Sequence, residues 1–228
     1  MTDTNLENRR PLKSRGSEWA KALAKGVAKA GLSPDNISAA SVAFAAFGAT
    51  LFLMAGAVEG PLRIGLLLGA GVGIQLRLLC NLLDGMVAVE HGRGSPSGPI
   101  WNELPDRVAD ALFLVGAGYC AASSGFEIGV PLGWGAAVLA VLTAYVRELG
   151  RGLGFPADFS GPMAKPHRMA ALTVTCGVAA IEPAWGWHGQ SVLIGLTVIT
   201  IGSIWTVARR TRTLAKRLRS VDAPVTAP

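Results

Sequence analysis

Carboxylate and amide side chains at regular spacing stand where two apolar runs of this chain meet. Asn81 and Asp84 close the first run, and Asn102, Asp106 and Asp110 follow at intervals of four residues at the start of the next. On two helices, these intervals place each set on one face. A turn in the Gly- and Ser-rich stretch between the sets would make the helices antiparallel neighbours and bring Asp84 close to Asp106. Converging carboxylates favour a hard divalent cation such as Mg²⁺, which often also binds phosphate oxygens.

The elements that must position these side chains are apolar. The chain has 228 residues, of which 50% are hydrophobic and 29 are glycine, and its mean hydropathy is +0.41. This composition is too apolar for an ordinary soluble domain, and frequent glycine is typical of packed membrane helices. The net charge is +6. Because the basic residues are concentrated at the termini and in two loops, we expect anionic membrane lipids as partners and no nucleic acid.

Six apolar stretches are long enough, or nearly so, to cross a bilayer as helices. Of the 21 Lys and Arg residues, only Arg63 falls on the side opposite the termini and the two longer loops. Positive charge marks the cytoplasmic side, so both termini and the carboxylate stretch are predicted to be cytoplasmic. We therefore predict an all-α polytopic protein of the bacterial inner membrane, a bundle of six transmembrane helices. The predicted spans lie near 37–58, 62–83, 107–124, 129–147, 169–184 and 190–208.

The basic arm before the first span has the pattern of an interfacial amphipathic helix. Trp19, Leu23 and Val27 recur every four residues, as do three lysines. Such a helix lies in the membrane interface with its apolar face buried; the alternative is a solvated basic tail. No cleaved signal peptide is expected, because the arm is polar and basic. The predicted regions are the arm at 1–35, the six-helix domain at 36–208 and a basic, partly disordered cytoplasmic tail at 209–228.

The cysteines and histidines show no pattern of their own. The three cysteines fall in or beside apolar runs, without Cys-x2-Cys or Cys/His spacing, so they are expected to be buried thiols that pack as small apolar side chains. The histidines are scattered in loops and receive no catalytic role. These residues are Cys80, Cys120, Cys176, His91, His167 and His188.

The carboxylate stretch resembles the signature of the CDP-alcohol phosphotransferases, Asp-x2-Asp-Gly-x2-Ala-Arg-x8-Gly-x3-Asp-x3-Asp. Every spacing is kept, while the first and third acidic positions are Asn and the arginine is Val. The chain reads Asn81-x2-Asp84-Gly85-x2-Ala88-Val89-x8-Gly98-x3-Asn102-x3-Asp106. Three further segments resemble the same family, so that the likeness covers about 34–208. They are Pro34-Asp35-Asn36-Ile37, Ala144-Tyr145-Val146-Arg147 and Gly161-Pro-Met-Ala-Lys165-Pro-His-Arg168.

The resemblance implies a six-helix enzyme that moves a phosphatidyl or phosphoalcohol group from a CDP-linked donor to an acceptor hydroxyl and releases CMP. It implies Mg²⁺ or Mn²⁺ as cofactor, CDP-diacylglycerol as the expected donor and a homodimer as the expected assembly. Asp84 would be a metal ligand, and Asp106 a ligand or the general base, with Asn81 and Asn102 at the other two ligand positions. Gly85, Ala88 and Gly98 would lie against the cytidine. A cationic pocket for an acceptor or lipid phosphate would consist of Arg147, Lys165 and Arg168.

Several of these residues have a second interpretation. The two carboxylates could be helix caps, Asn102 could be the N-cap of the third span, and the three pocket cations could be plain positive-inside charges. Asp110 would be a partner of Arg107 or of another basic residue. Glu90 and Glu103 lie near enough to compensate for the missing acids.

Arg77 bears on whether the site is complete, because two acidic positions of the signature are amides here. It precedes Asn81 by one helical turn, so its guanidinium could replace part of the metal charge or pair with Asp84. An Arg77–Asp84 pair would favour the alternative function, a catalytically impaired member that binds lipid or a partner enzyme. Bound metal and CMP would favour the transferase.

Overall fold

The computed structural model describes residues 16–90 and 96–221, and within these ranges the regular structure is helical, as predicted. Residues 1–15 of the basic arm, the predicted turn at 91–95 and the tail beyond 221 lie outside the described residues. The elements are α1 (Glu18–Lys29), α2 (Pro34–Gly56), α3 (Gly60–Glu90), α4 (Gly98–Ser123), α5 (Gly129–Gly152), α6 (Lys165–Ile181), a 3₁₀ turn (Glu182–Trp185) and α7 (Gln190–Val221).

Helices α2 to α7 coincide in position with the six predicted spans. Four of them, α2, α3, α5 and α7, contain segments long and apolar enough to cross a membrane. Helix α4 carries several charged residues in its first half, and α6 has 17 residues, so the six-span count stays a prediction. Helix α7 continues to Val221, well past the predicted end of the last span.

Small residues let the helices approach closely. A Cβ atom at Gly118 of α4 would lie 2.6 Å from the carbonyl oxygen of Gly129 and 2.9 Å from the Cα of Gly133, both on α5. Contacts of this kind, in which backbones touch, are typical of packed membrane helices. Helix α4 also contacts α2, α3 and α7 and is therefore central to the bundle. The three cysteines are free and buried, as predicted.

Helix α1 packs against the end of α3 that carries Asp84. Its buried face consists of small residues, which pack with Met86 and Val87 of α3. Trp19 and Leu23 are exposed on the rest of the helix. A position in the membrane interface stays a prediction. The buried residues of α1 are Ala20, Ala24 and Ala28.

A buried ion pair joins helices at the end of the bundle away from Asp84. Arg63 of α3 donates to Glu182 at 3.4 Å and to the carbonyl of Ala55 on α2 at 2.6 Å. Glu182 also accepts the backbone N–H groups of Gly189 at 2.5 Å and Ser191 at 2.9 Å, at the start of α7. Both charged residues are at most 1% exposed. Three helices are thus joined at this end, while the predicted site lies at the other.

Candidate functional site

Three acidic side chains lie on one face of α4 and meet cations from other helices. Their spacing of three and four residues puts them in one row, which we call the α4 acidic face: Glu103, Asp106 and Asp110. Each residue of the predicted cationic pocket is paired with one of them: Arg147 donates to Glu103, Lys165 to Asp106 and Arg168 to Asp110. The pocket cations are therefore already neutralised by carboxylates.

Both oxygens of the Asp106 carboxylate are engaged. Oδ1 accepts a hydrogen bond from Nδ2 of Asn81 at 2.5 Å and one from Nη2 of Arg77 at 3.1 Å. Oδ2 accepts from the ammonium of Lys165. Asn81, predicted as a metal ligand, thus acts as a donor to the Asp106 carboxylate, and its role as a ligand stays a prediction.

Asp110 lies between two buried guanidinium groups. Arg77 donates to its Oδ1 at 2.6 Å, and Arg168 donates to its Oδ2 at 2.6 Å. None of the three side chains is more than 2% exposed. Buried charges of this kind persist only when they are paired. Arg77 therefore pairs with the α4 acidic face and not with Asp84, and Arg107, the partner suggested for Asp110, pairs with Glu103 instead.

Asp84 has a different environment from Asp106. Its Oδ2 accepts a hydrogen bond of 2.6 Å from the hydroxyl of Ser38 on α2. Its Oδ1 is buried and has no hydrogen-bond partner in the described parts of the chain. Sequence reasoning missed Ser38, although a serine early in an apolar helix was a visible signal.

The remaining signature residues lie at the same end of the bundle. Gly85, Ala88 and Gly98 are half-buried, and Asn102 is exposed. Helix α4 begins at Gly98 with Ser97 in the N-cap position, so the alternative that Asn102 is the N-cap is wrong. The contacts of the glycines and Ala88 with a cytidine stay a prediction.

The conformation of the loop before α6 positions Lys165. Gly161 has φ +117°, and a Cβ there would lie 2.5 Å from Cγ2 of Thr206 on α7. Both the backbone conformation and the lack of space require glycine. Two residues later, the N–H of Met163 donates to the Thr206 hydroxyl at 3.0 Å. The loop is thereby fixed to α7 immediately before the lysine.

Two charged side chains, Asp158 of the loop and Arg210 of α7, stabilise the same loop. Asp158 accepts the N–H of Ser160 at 2.8 Å, and Arg210 of α7 donates to the carbonyl of Ser160 at 2.9 Å. Burial tends to raise the pKa of Asp158, but the Ser160 hydrogen bonds and the nearby Arg210 and Arg217 charges outweigh it. The pKa of Asp158 is therefore lowered, and the carboxylate form that orders the loop is favoured at neutral pH.

Two oxygen atoms at this end of the bundle are of the kind that a divalent ion binds. The described residues contain no group of three His, Cys, Asp or Glu side chains that could hold a metal by themselves. Mg²⁺, however, is commonly bound by one or two carboxylates together with substrate phosphates. The unpartnered Oδ1 of Asp84 is a buried acceptor of the right kind. Asn81 retains its amide oxygen, because its contact with Asp106 uses Nδ2.

No family model matches this chain. Among curated proteins it is similar to the phosphatidylinositol phosphate synthase of Mycolicibacterium smegmatis, with 26% identity over 199 residues, 84% of this chain and 81% of that protein. It is also 34% identical over 149 residues to the bifunctional IPC transferase and DIPP synthase of Rubrobacter xylanophilus. This match covers 63% of this chain and 30% of that protein.

Solved structures of the Mycobacterium tuberculosis phosphatidylinositol phosphate synthase have the same fold. The structure with CDP-DAG bound gives a TM-score of 0.72 at 22% identity, covering 87% of this chain and 94% of that chain. The complex with manganese and citrate gives a TM-score of 0.70 at 23% identity, covering 86% and 88%. At these identities the structural likeness establishes the fold.

Proposed function

Because the chain belongs to the CDP-alcohol phosphotransferase family and is an enzyme of that class, we propose that it transfers a phosphatidyl group from CDP-diacylglycerol to a phosphorylated alcohol and releases CMP. The names of the relatives support an acceptor that carries a phosphate, and a neighbouring structure contains CDP-DAG. We further propose that the site lies at the cytoplasmic face of the bacterial inner membrane, and that the enzyme is a homodimer.

The observation that carries this proposal is the meeting of Asp84, Asn81 and Asp106 at one end of the bundle. Asn81 bonds to Asp106, while Asp84 keeps a buried oxygen without a partner in the described ranges. We therefore assign the binding of a cation to Asp84 and the acceptance of a proton to Asp106. These are the two tasks that cleavage of a diphosphate with transfer to a hydroxyl demands.

An apolar groove beside the site supports a lipid donor. A cavity of about 390 Å³ opens between α3 and α6. It follows α3 from Leu79, two residues before Asn81, to Leu68, which is about 16 Å at the helical rise of 1.5 Å per residue. This length suits an acyl chain whose headgroup lies at the carboxylates. The groove is lined by Leu68, Gly71, Val72, Gln75, Leu76, Leu79, Thr173, Cys176 and Gly177.

In the proposed reaction, the acceptor hydroxyl attacks the phosphorus of the phosphatidyl group, and the bond from that phosphorus to the oxygen of CMP breaks. Asp106 receives the hydroxyl proton. Arg77 and Asn81 hold its Oδ1, so Oδ2, which Lys165 alone contacts among the described side chains, is the basic oxygen. An anionic acceptor would bind the exposed side of the Lys165 ammonium, which brings the acceptor hydroxyl close to Oδ2 while Lys165 stays at Asp106. Lys165 is 24% exposed, so an acceptor can reach it.

A divalent ion would be held by Asp84, with the amide oxygen of Asn81 and phosphate oxygens as further ligands. When bound, it would neutralise the charge that develops on the leaving CMP. Arg147 is the other pocket cation within reach of an acceptor phosphate, since it is partly exposed beside Glu103. Arg168 is buried against Asp110 and would act by orienting that end of α6.

Release of CMP from CDP-diacylglycerol by the purified protein tests the proposal. Inositol phosphate and glycerol phosphate are compared with unphosphorylated inositol, with Mg²⁺ present. Asp106→Asn should lower the rate by about 100-fold or more, because general-base catalysis contributes 10²–10⁴-fold. Glu18→Gln, which removes an acid from an exposed ion pair of α1, is the matched control. Binding of CDP-diacylglycerol without release of CMP in the presence of any of these acceptors would instead favour the alternative, a lipid-binding member without activity.

A further inference from the structure

We propose that Lys165 and Arg77 occupy the place of a second metal ion at Asp106, so that this site binds one divalent cation, at Asp84. The inference rests on the proposed function because it concerns the same carboxylates. It extends that function by assigning two side chains of the chain itself a charge-balancing role that a metal would otherwise perform.

The first observation is that each oxygen of Asp106 already contacts a cationic side chain. Lys165 contacts Oδ2, and Arg77 and Asn81 contact Oδ1. Arg77 is fully buried and is also fixed by Asp110. A metal ion at Asp106 would have to displace a bonded cation and then lie beside it, which the repulsion between like charges at short range opposes. Within the described ranges no cationic side chain is bonded to Asp84, which accepts a hydrogen bond from the neutral hydroxyl of Ser38.

The second observation is the balance of charge. Asp106 and Asp110 are joined to Arg77, Lys165 and Arg168 in one connected cluster, and Asp84 of α3 is a third carboxylate close to it. A single divalent ion at Asp84 balances the two negative charges of the bound donor diphosphate. Until an acceptor phosphate also binds, a second ion would leave excess positive charge in a largely buried site, where unpaired charge is costly.

The third observation is the identity of residue 81. The Nδ2 of Asn81 lies 2.5 Å from Oδ1 of Asp106. An aspartate at this position would set two carboxylates against each other, and their repulsion would have to be relieved by a shared proton or a cation. The amide avoids this repulsion. Asn81 and Lys165 are therefore two parts of one arrangement that neutralises Asp106 without metal.

Counting bound Mn²⁺ on the detergent-purified full chain by electron paramagnetic resonance tests the inference. The unmodified protein should bind one Mn²⁺ per chain. Asn81→Asp should also bind one, because Lys165 still neutralises Asp106. Asn81→Asp combined with Lys165→Gln should bind two, since Oδ2 of Asp106 then has lost its ammonium and is open to an ion. Asn81→Asp with Lys165→Arg should return to one. Asn81→Asp with Arg151→Gln, which removes a partly exposed cation paired with Glu148, should stay at one.

Two ions, or none, in the unmodified protein would overturn the inference, and so would two in Asn81→Asp. One ion in a folded Asn81→Asp, Lys165→Gln variant would do the same. If that variant does not fold, as judged by gel filtration and thermal unfolding, the unmodified protein and Asn81→Asp decide the question. CMP release is measured on the same samples. One bound ion without CMP release would contradict the proposed function and leave this inference standing.

Discussion

Replacing Asp110 with Asn removes the carboxylate that Arg77 and Arg168 share, at nearly constant side-chain volume. Both guanidinium groups donate to it at 2.6 Å, and Asp110 itself is 1% exposed. After the change, Arg77 keeps Asp106 at 3.1 Å, whereas Arg168 keeps only the carbonyl of Met163 at 3.2 Å among its described partners. Breaking a buried ion pair on one side costs about 3–5 kcal/mol. We expect a loss of this size in the free energy of unfolding.

The free energy of unfolding would be measured by titrating the protein in mild detergent with a denaturing detergent and following helical circular dichroism. Glu148→Gln is the matched control, because Glu148 pairs with Arg147 and Arg151 but is about one-third exposed. Ion pairs of that kind contribute about 0–1 kcal/mol. A cost for Asp110→Asn no greater than for this control would refute the description of the cluster as a buried, obligatory network.

A second variant distinguishes the loss of the ion-pair attraction from the cost of leaving Arg168 buried without a counter-charge. Asp110→Leu combined with Arg168→Met removes the pair together, and apolar replacements of buried pairs are often neutral. The double variant should therefore be more stable than Asp110→Asn by about 2 kcal/mol or more. Equal instability of the two would show that the hydrogen bonds themselves, and not the uncompensated cation, stabilise this part of the bundle.

Three further outcomes are expected. Glu182→Gln should lower the thermal stability of the folded protein by leaving Arg63 without its buried anion, while the concentration of CDP-diacylglycerol that gives half-maximal CMP release stays unchanged. Gly118→Leu should lower the free energy of unfolding by about 2–3 kcal/mol in a denaturing-detergent titration, because α4 and α5 must separate to admit the side chain. Gly135→Leu, where a Cβ meets nothing within 4 Å, should lower it far less. A reporter enzyme fused at Ser124 should be active outside the cytoplasm and one at Gly154 inside, and a cytoplasmic reading at Ser124 would contradict the six-span topology.

The sequence allowed the helical architecture to be predicted, because it depends on local patterns. Apolar runs and the breaks between them predicted where α2 to α7 lie. The interval of four residues predicted that Asp106 and Asp110 share a face of α4. These inferences need only the geometry of a single helix or of a short connection.

The partners of the charged residues could not be predicted, since they depend on which helices pack together. Helical spacing alone left Asp84 and Asp106 as equal candidates for Arg77. The contact of α3 with α4 turns its guanidinium toward Asp106 and Asp110. In the same way, Ser38 reaches Asp84 across 46 positions of sequence. The neutralisation of the predicted cationic pocket by the α4 acidic face is a property of the assembled bundle, and no single stretch of sequence contains it.

The Arg63–Glu182 pair also constrains how the protein is made. The two residues are 119 positions apart, so at about 5–20 residues per second the ribosome delivers the glutamate roughly 6 to 24 s after the arginine. During that interval the nascent helices α2 to α5 carry a guanidinium whose permanent counter-charge has not yet been synthesised. Until the last two helices arrive, the described partners of the arginine are uncharged: the carbonyl of Ala55 and the hydroxyl of Ser124. Completion of this pair is therefore a late step in the biogenesis of the protein.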